Sequence, residues 1–169
     1  MKALPKIVFT DIDGVWTDGG MYYDQKDNEW KKFNTRDSAG VLFLRHLNIP
    51  LVVLTGEQTQ IMSRRAEKLK IEHCVQGVKN KVEEAQKWLE RWNLNWDEAA
   101  YIGDDLIDAR LLDKVGFSAC PADAVDYIKE RVNVVLKHKG GEGAFREFVE
   151  VILSQSGKLN QVLDELLNE

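Results

Sequence analysis

Two aspartates one residue apart, Asp11-Ile12-Asp13-Gly14, follow the apolar run Ile7-Val8-Phe9. A second apolar run, Leu51 to Leu54, ends at Thr55-Gly56. A third, Ala99 to Ile102, ends at Gly103-Asp104-Asp105, with Asp108 one turn on. Lys81 opens a helical pattern that follows Gly77. Carboxylates gathered in one place repel each other unless a cation joins them. Oxygen donors with no His or Cys nearby select magnesium, which takes one or two carboxylates and phosphate oxygens and keeps waters. The same cation draws an anionic phosphate into an acidic site. Phosphoryl transfer is the chemistry that fits. Asp11 then attacks phosphorus and forms an aspartyl-phosphate. Asp13 protonates the leaving alkoxide and later deprotonates a water. Thr55 and Lys81 hold phosphate oxygens and offset charge in the transition state.

The elements that must bring these residues together can be read from the same sequence. Short continuous apolar runs suit strands buried on both faces of a parallel sheet. Ile7 to Phe9, Leu51 to Leu54, Ala99 to Ile102 and Val132 to Leu136 are such runs, with His73 to Val75 and Phe117 to Cys120 as shorter candidates. Helical spacing links Ile61, Met62, Ala66 and Leu69. It also links Val82, Ala85, Trp88, Leu89 and Trp92, and then Leu106, Ala109, Leu112 and Val115. Asp37 is the expected cap of a helix through Val41, Leu44 and Leu47. Gly19 to Phe33 reads as a β-hairpin with a turn at Asp24 to Asn28. An isolated hairpin is marginal in water, so its aromatics need a surface to pack on, another subunit being one. Strands alternating with helices predict an α/β, Rossmann-like, open and mostly parallel sheet with helices on both faces. Residues 1–169 form one domain, with Lys158 to Glu169 an amphipathic tail. Ligands bind outside the carboxyl ends of such strands, where three strand ends and the start of the Lys81 helix can converge.

Composition bounds the alternatives. Of 169 residues, 44% are hydrophobic and 30% charged, which predicts a packed core rather than disorder. A net charge of −5 argues against nucleic acid as a main partner. No run approaches the length of a membrane span and no signal peptide is seen, so a cytoplasmic enzyme is expected. Cys74 and Cys120 have no metal-ligand spacing and read as small buried residues. Trp88 and Trp92 read as core. Trp16 and Trp30 fit packing, an interface or a substrate wall equally. Lys31-Lys32 and Arg64-Arg65 are the kind of cluster that covers a solvated face. One Asp pair alone is more often a turn or cap. The four motifs in order exclude that reading. A receiver domain would carry its acceptor on the third strand. A non-catalytic regulatory domain would lack the nucleophile or the lysine.

Asp11-Ile12-Asp13-Gly14-Val15, Thr55-Gly56, Lys81 and Gly103-Asp104-Asp105-Leu106-Ile107-Asp108 resemble, in order, the four motifs of the haloacid dehalogenase superfamily of phosphatases. The resemblance implies Asp11 as nucleophile and Asp13 as general acid/base, with the Asp13 backbone carbonyl also on the metal. It implies Asp104 as a magnesium ligand, with Asp105 and Asp108 as ligand or supporting candidates. The gaps from Asp13 to Thr55 and from Thr55 to Lys81 are too short for a cap domain. Thr10 to Gly19, Phe33 to Asp37, Gln76-Gly77, Ala100 to Asp108 and Gly140 to Glu147 look like the capless phosphatases of 2-keto-3-deoxy sugar acids. That resemblance implies a homotetramer with hairpins at its centre and sites completed by neighbouring subunits. It also implies Thr35, Gly56, Glu57, Arg65 and Lys68 as substrate residues. In octulosonate 8-phosphate phosphatases the residue after the Thr-Gly pair is typically basic. Glu57 here, with Lys68 three turns on, is more similar to the nononate 9-phosphate branch, and octulosonate 8-phosphate is the alternative substrate.

Overall fold

In the computed structural model, which describes residues 3–168, Ile7–Thr10 forms β1 with all four residues buried. It pairs in parallel with β4 (Leu51–Leu54) on one side and β6 (Ala99–Ile102) on the other. Beyond β4 lies β5 (His73–Val75). Beyond β6 lie β7 (Phe117–Cys120) and β8 (Val134–Val135), giving the order β5-β4-β1-β6-β7-β8. All five pairings are parallel. Successive strand residues point to opposite faces. Val8, Val53 and Ala100 therefore pack with α1 (Asp37–His46), α2 (Gln60–Leu69), α6 (Ala144–Gln155) and α7 (Leu159–Leu167). Ile7, Phe9, Val52 and Tyr101 pack with α3 (Lys81–Arg91), α4 (Ala109–Leu112) and α5 (Asp126–Lys129). Burial on both faces explains why the strands read as unbroken apolar runs. From β1 the chain leaves to β4 on one side and later returns to β6 on the other. The crevice between these two connections opens at the end of β1.

The hairpin is present and small. β2 (Tyr22–Tyr23) and β3 (Glu29–Trp30) pair antiparallel. Asp24 closes the turn by accepting the backbone N–H groups of Lys26 and Asn28. Met21, Tyr22, Tyr23 and Trp30 are exposed. Phe33 bridges back to Thr17, so the returning leg is tied to the loop after β1.

Several expectations change. The run Val132 to Leu136 pairs only at Val134–Val135. The helix expected from Leu106 to Val115 is a 3-10 turn at Leu106–Asp108 followed by the short α4, and Leu106 is 67% exposed. Asp105, in extended conformation, caps this turn by accepting the Leu106 N–H. Asp37 does not cap α1. Its Oδ1 accepts the N–H of Arg146 in the first turn of α6, joining two helices instead. Trp88 and Trp92 are half-buried against His73 at the edge strand rather than core. Trp16 is fully buried, stacked on Phe145 at 4.3 Å and donating to Thr10 Oγ1. The tail forms α7 and buries Val162, while Glu169 lies outside the described residues.

Candidate active site

Asp11 is the first residue past β1, and its N–H donates to Ile102 at the end of β6. That bond sets the carboxylate over the middle of the crevice. Lys81, at the start of α3, places Nζ 2.6 Å from Asp11 Oδ1 and 2.6 Å from Asp108 Oδ1. Asn80 caps α3 and fixes where that helix begins. Asp108 is fully buried with both oxygens used. Oδ1 takes Lys81 and the Tyr101 hydroxyl, and Oδ2 takes the N–H groups of Asp104 and Asp105. Asp108 thus fastens the acidic loop and orients Lys81. Tyr101 escaped the sequence reading because it sits in an apolar run. The signal was available, since a buried phenol O–H needs a polar partner.

Oxygen atoms of Asp11, Asp104 and Asp108 lie within 4.8 Å of one another. Burial pushes the Asp11 carboxyl above the usual range, and Asp108 adds to the rise even with Lys81 alongside. Burial raises Asp104 as well, and the neighbouring carboxylates of Asp11, Asp108 and Asp105 raise it further. Lys81 is itself raised, because the two carboxylates it touches outweigh its burial. Asp104 Oδ1 is buried without a hydrogen-bond partner. A buried acid, Asp11, and a half-buried one, Asp104, that repel each other, with one orphaned oxygen, are a donor set that a hard divalent cation satisfies. With both of its oxygens occupied, Asp108 is a support for this pair rather than a free ligand. Asp105 stands outside the group. It is exposed, and its Oδ1 accepts from Leu106 N–H and the Tyr127 hydroxyl. Gly14 has φ +87°, and a Cβ there would lie 2.0 Å from Asp104 Oδ2, so only glycine lets the loop after β1 meet the loop after β6.

Asp13 points elsewhere. Its carboxylate accepts from Lys31 Nζ at 2.8 Å on both oxygens and from Thr17 Oγ1 at 3.3 Å. The Lys31 side chain is 2% exposed, so this lysine is not on a solvated face. Sequence reasoning missed it because burial here comes from the hairpin folding back, which no local pattern encodes. Thr55 is buried at the end of β4 and accepts the Glu57 N–H, with Gly56 exposed beside it. Arg65 lies over the Phe33 ring and donates to the Asn34 carbonyl. Arg65 and Lys68 line a groove of about 510 Å³ between α2 and the hairpin, which Lys31 also lines. Glu57 and Thr35 are exposed and do not line that groove. Gly140 packs on the catalytic loop so closely that a Cβ would lie 2.0 Å from the Gly14 carbonyl oxygen. That contact accounts for the glycine loop before α6.

The family of haloacid dehalogenase-like hydrolases matches residues 54–147. The 3-deoxy-D-manno-octulosonate 8-phosphate phosphatase of Haemophilus influenzae is 37% identical over 153 residues, 90% of this chain and 85% of that protein. A solved structure from Pseudomonas syringae, described as a probable YrbI-family phosphatase, superposes with a TM-score of 0.93 at 37% identity. That match covers 98% of this chain and 94% of the other. A Moraxella catarrhalis 3-deoxy-D-manno-octulosonate 8-phosphate phosphatase, solved in complex with a magnesium ion, a phosphate ion and a KDO molecule, gives 0.91 at 28% identity, covering 96% and 93%. The chain belongs to the haloacid dehalogenase-like hydrolases. Within them it is a phosphatase of the capless kind: only the hairpin and α1 separate Asp13 from Thr55, and only α2 and β5 separate Thr55 from Lys81.

Proposed function

We propose that this protein is a magnesium-dependent phosphomonoesterase that releases phosphate from a 2-keto-3-deoxy sugar acid phosphate. The observation that carries the reading is the buried Asp11 beside the half-buried Asp104, raised together, with one oxygen orphaned and Lys81 fixed between Asp11 and Asp108. Asp11, Asp104 and the Asp13 backbone carbonyl would hold the cation, which when bound offsets the charge of phosphate in this acidic crevice. Asp11 attacks phosphorus as the bond to the leaving oxygen breaks. The Asp13 carboxyl gives its proton to that oxygen. Asp13 then takes a proton from the water that attacks the aspartyl-phosphate, freeing phosphate and the Asp11 carboxylate. The Thr55 hydroxyl and Lys81 ammonium hold phosphate oxygens. A capless site needs another wall to exclude water. The exposed Met21, Tyr22, Tyr23 and Trp30 support a homotetramer built on the hairpin, whose subunits complete one another's sites. Light scattering tests this, and a fully active monomer refutes it.

The names of the relatives favour octulosonate 8-phosphate as substrate. A second reading rests on Glu57 and Lys68. A carboxylate after the Thr-Gly pair accepts hydrogen bonds from sugar hydroxyls, and Arg65 and Lys68 pair with a substrate carboxylate, which favours the longer nononate 9-phosphate. A panel of phosphorylated sugar acids decides between them by kcat/KM. The nononate reading expects a preference for the nine-carbon ester that Glu57→Ala with Lys68→Ala erases. A wild-type preference for the octulosonate removes that reading and leaves the phosphatase intact.

A further inference from the structure

Lys31 joins the hairpin to the catalytic loop. Its Nζ lies 2.8 Å from each Asp13 oxygen, while Glu29 Oε1 is 4.0 Å away. An ammonium equidistant from both oxygens fixes the plane of a carboxylate that otherwise has only the longer Thr17 bond, 3.3 Å to Oδ1, to hold it. The hairpin that supplies the lysine has only two paired residues on each strand and exposed aromatics on both. Its contacts with the body of the protein include Lys31 to Asp13, Lys32 to Asp18 at 3.5 Å, the Tyr22 hydroxyl to Asp18 at 3.2 Å, the bridge from Thr17 to Phe33 and Arg65 over the Phe33 ring.

We infer that Lys31 is a positioning residue for the leaving-group step, and that through it the proton donor Asp13 is in place only when the hairpin is docked. The inference rests on the phosphatase reading above. In that step the bond from phosphorus to the leaving oxygen breaks while the bond from Asp11 to phosphorus forms. The electron pair goes to the leaving oxygen, which takes the Asp13 proton. A sugar alkoxide needs that proton to depart. A nitrophenolate is stable as an anion and needs it far less. Lys31 and Thr17 both hold Asp13 Oδ1, so in this step Oδ2 is the oxygen that turns from Lys31 to the leaving group and carries the proton along a fixed line.

The test compares two esters on the full chain with magnesium present: octulosonate 8-phosphate, or the best sugar acid phosphate from the panel, and p-nitrophenyl phosphate. For Lys31→Met, kcat on the sugar ester is expected to fall about 100-fold, the lower end of what general acid catalysis contributes. On the aryl ester the first step, read as the burst of nitrophenolate, should change by less than about 5-fold, while the later hydrolysis of the aspartyl-phosphate, in which Asp13 is the base for both esters, slows alike. Lys31→Arg should recover part of the sugar-ester rate, because it restores a cation that can reach both oxygens. In an Asp13→Asn background, Lys31→Met should cause no further loss, since the two act through one group. Equal losses in the first step on both esters, or a further loss in the Asp13→Asn background, would overturn the inference and leave Lys31 a brace for the hairpin. If Lys31→Met does not fold, Lys31→Arg alone decides: an intermediate first-step rate confined to the sugar ester supports the role, and a uniform loss in that step refutes it. A wild-type protein that hydrolyses neither ester defeats the phosphatase reading itself, an outcome distinct from both.

Discussion

Lys81 and Asp108 meet at 2.6 Å with side chains 1% and 0% exposed, and Asp108 spends its other oxygen on the N–H groups of Asp104 and Asp105. One buried carboxylate thus sets both the lysine beside the nucleophile and the backbone of the acidic loop. An asparagine at 108 has one acceptor and one donor end, so it must present N–H to one of these donor sets. Asp108→Asn is expected to lower kcat/KM roughly 10- to 100-fold, the range for residues that orient metal-site ligands. Tyr101→Phe removes a single donor and should cost only about 1 kcal/mol of stability. Steady-state kinetics and urea denaturation on both variants check this. Equal effects from the two would mean that Asp108 is not the organising group.

Asp11→Asn should leave a folded protein whose turnover is lower by roughly 10⁴-fold or more, as for loss of a nucleophile that acts in a catalytic unit. Folding is preserved because the change removes one of three crowded carboxylates and leaves Lys81 paired with Asp108. Asp13→Asn should likewise fold with little activity. Near-wild-type turnover in Asp11→Asn ends the covalent mechanism.

Chelation with EDTA should abolish activity, and magnesium should restore it. Magnesium should also raise Tm, by an amount corresponding to about 2.7 kcal/mol at 100 times Kd. Burial and mutual repulsion raise Asp11 and Asp104, so protons compete with the cation for these oxygens. The rise in Tm should therefore be larger at pH 8 than at pH 6. Without cation, the folded state binds more protons than the unfolded one between the ordinary carboxylate range and the raised values. Stability of the metal-free protein should fall as pH rises through that window. Thermal melts at both pH values, with and without magnesium, read out both signs. A magnesium effect equal at the two pH values contradicts the assignment.

Asp37 offers a second pH dependence, away from the cation. Burial lifts its carboxyl from 3.8 to about 6, against the pull of the Arg146 N–H and the Arg65 charge. Its Oδ2 has no partner. Since the folded value lies above the unfolded one, protonation favours the folded state. Stability should drop by up to roughly 3 kcal/mol as pH rises from the ordinary carboxylate range to pH 7, most of it between pH 4 and pH 6 and levelling off above that. Asp37→Asn keeps an acceptor for Arg146 and removes the ionisation. Urea midpoints measured with magnesium present should then vary less with pH in Asp37→Asn than in wild type. An unchanged slope would show that Asp37 is neutral or compensated throughout.

How much of this was legible follows from where each residue's environment is encoded. Asp11, Thr55 and Asp104 stand directly after apolar runs, and a strand buried on both faces leaves its next polar residue at the sheet's carboxyl edge. Their convergence, the parallel sheet, the short gaps that leave no cap, and the hairpin were therefore fixed by local pattern and order. Lys81 was found the same way, as the first residue of a helix. Pairings between segments far apart in sequence were not. Asp37 looked like a cap of its own helix and instead serves α6, because α1 and α6 pack against each other. Asp108 read from spacing as either a metal ligand or a support, and only its contacts with Lys81, Tyr101 and two backbone amides separate the two. Lys31 looked like half of a solvated pair and is buried on Asp13, 18 residues away along the chain. Residue type and spacing determined which groups reach the site. Which of them touch a cation, which touch each other and which go to solvent was decided only when the hairpin, the sheet edge and the helix starts met. Ionic and hydrogen-bond partners depend on ångström-scale proximity, and periodicity carries no such information.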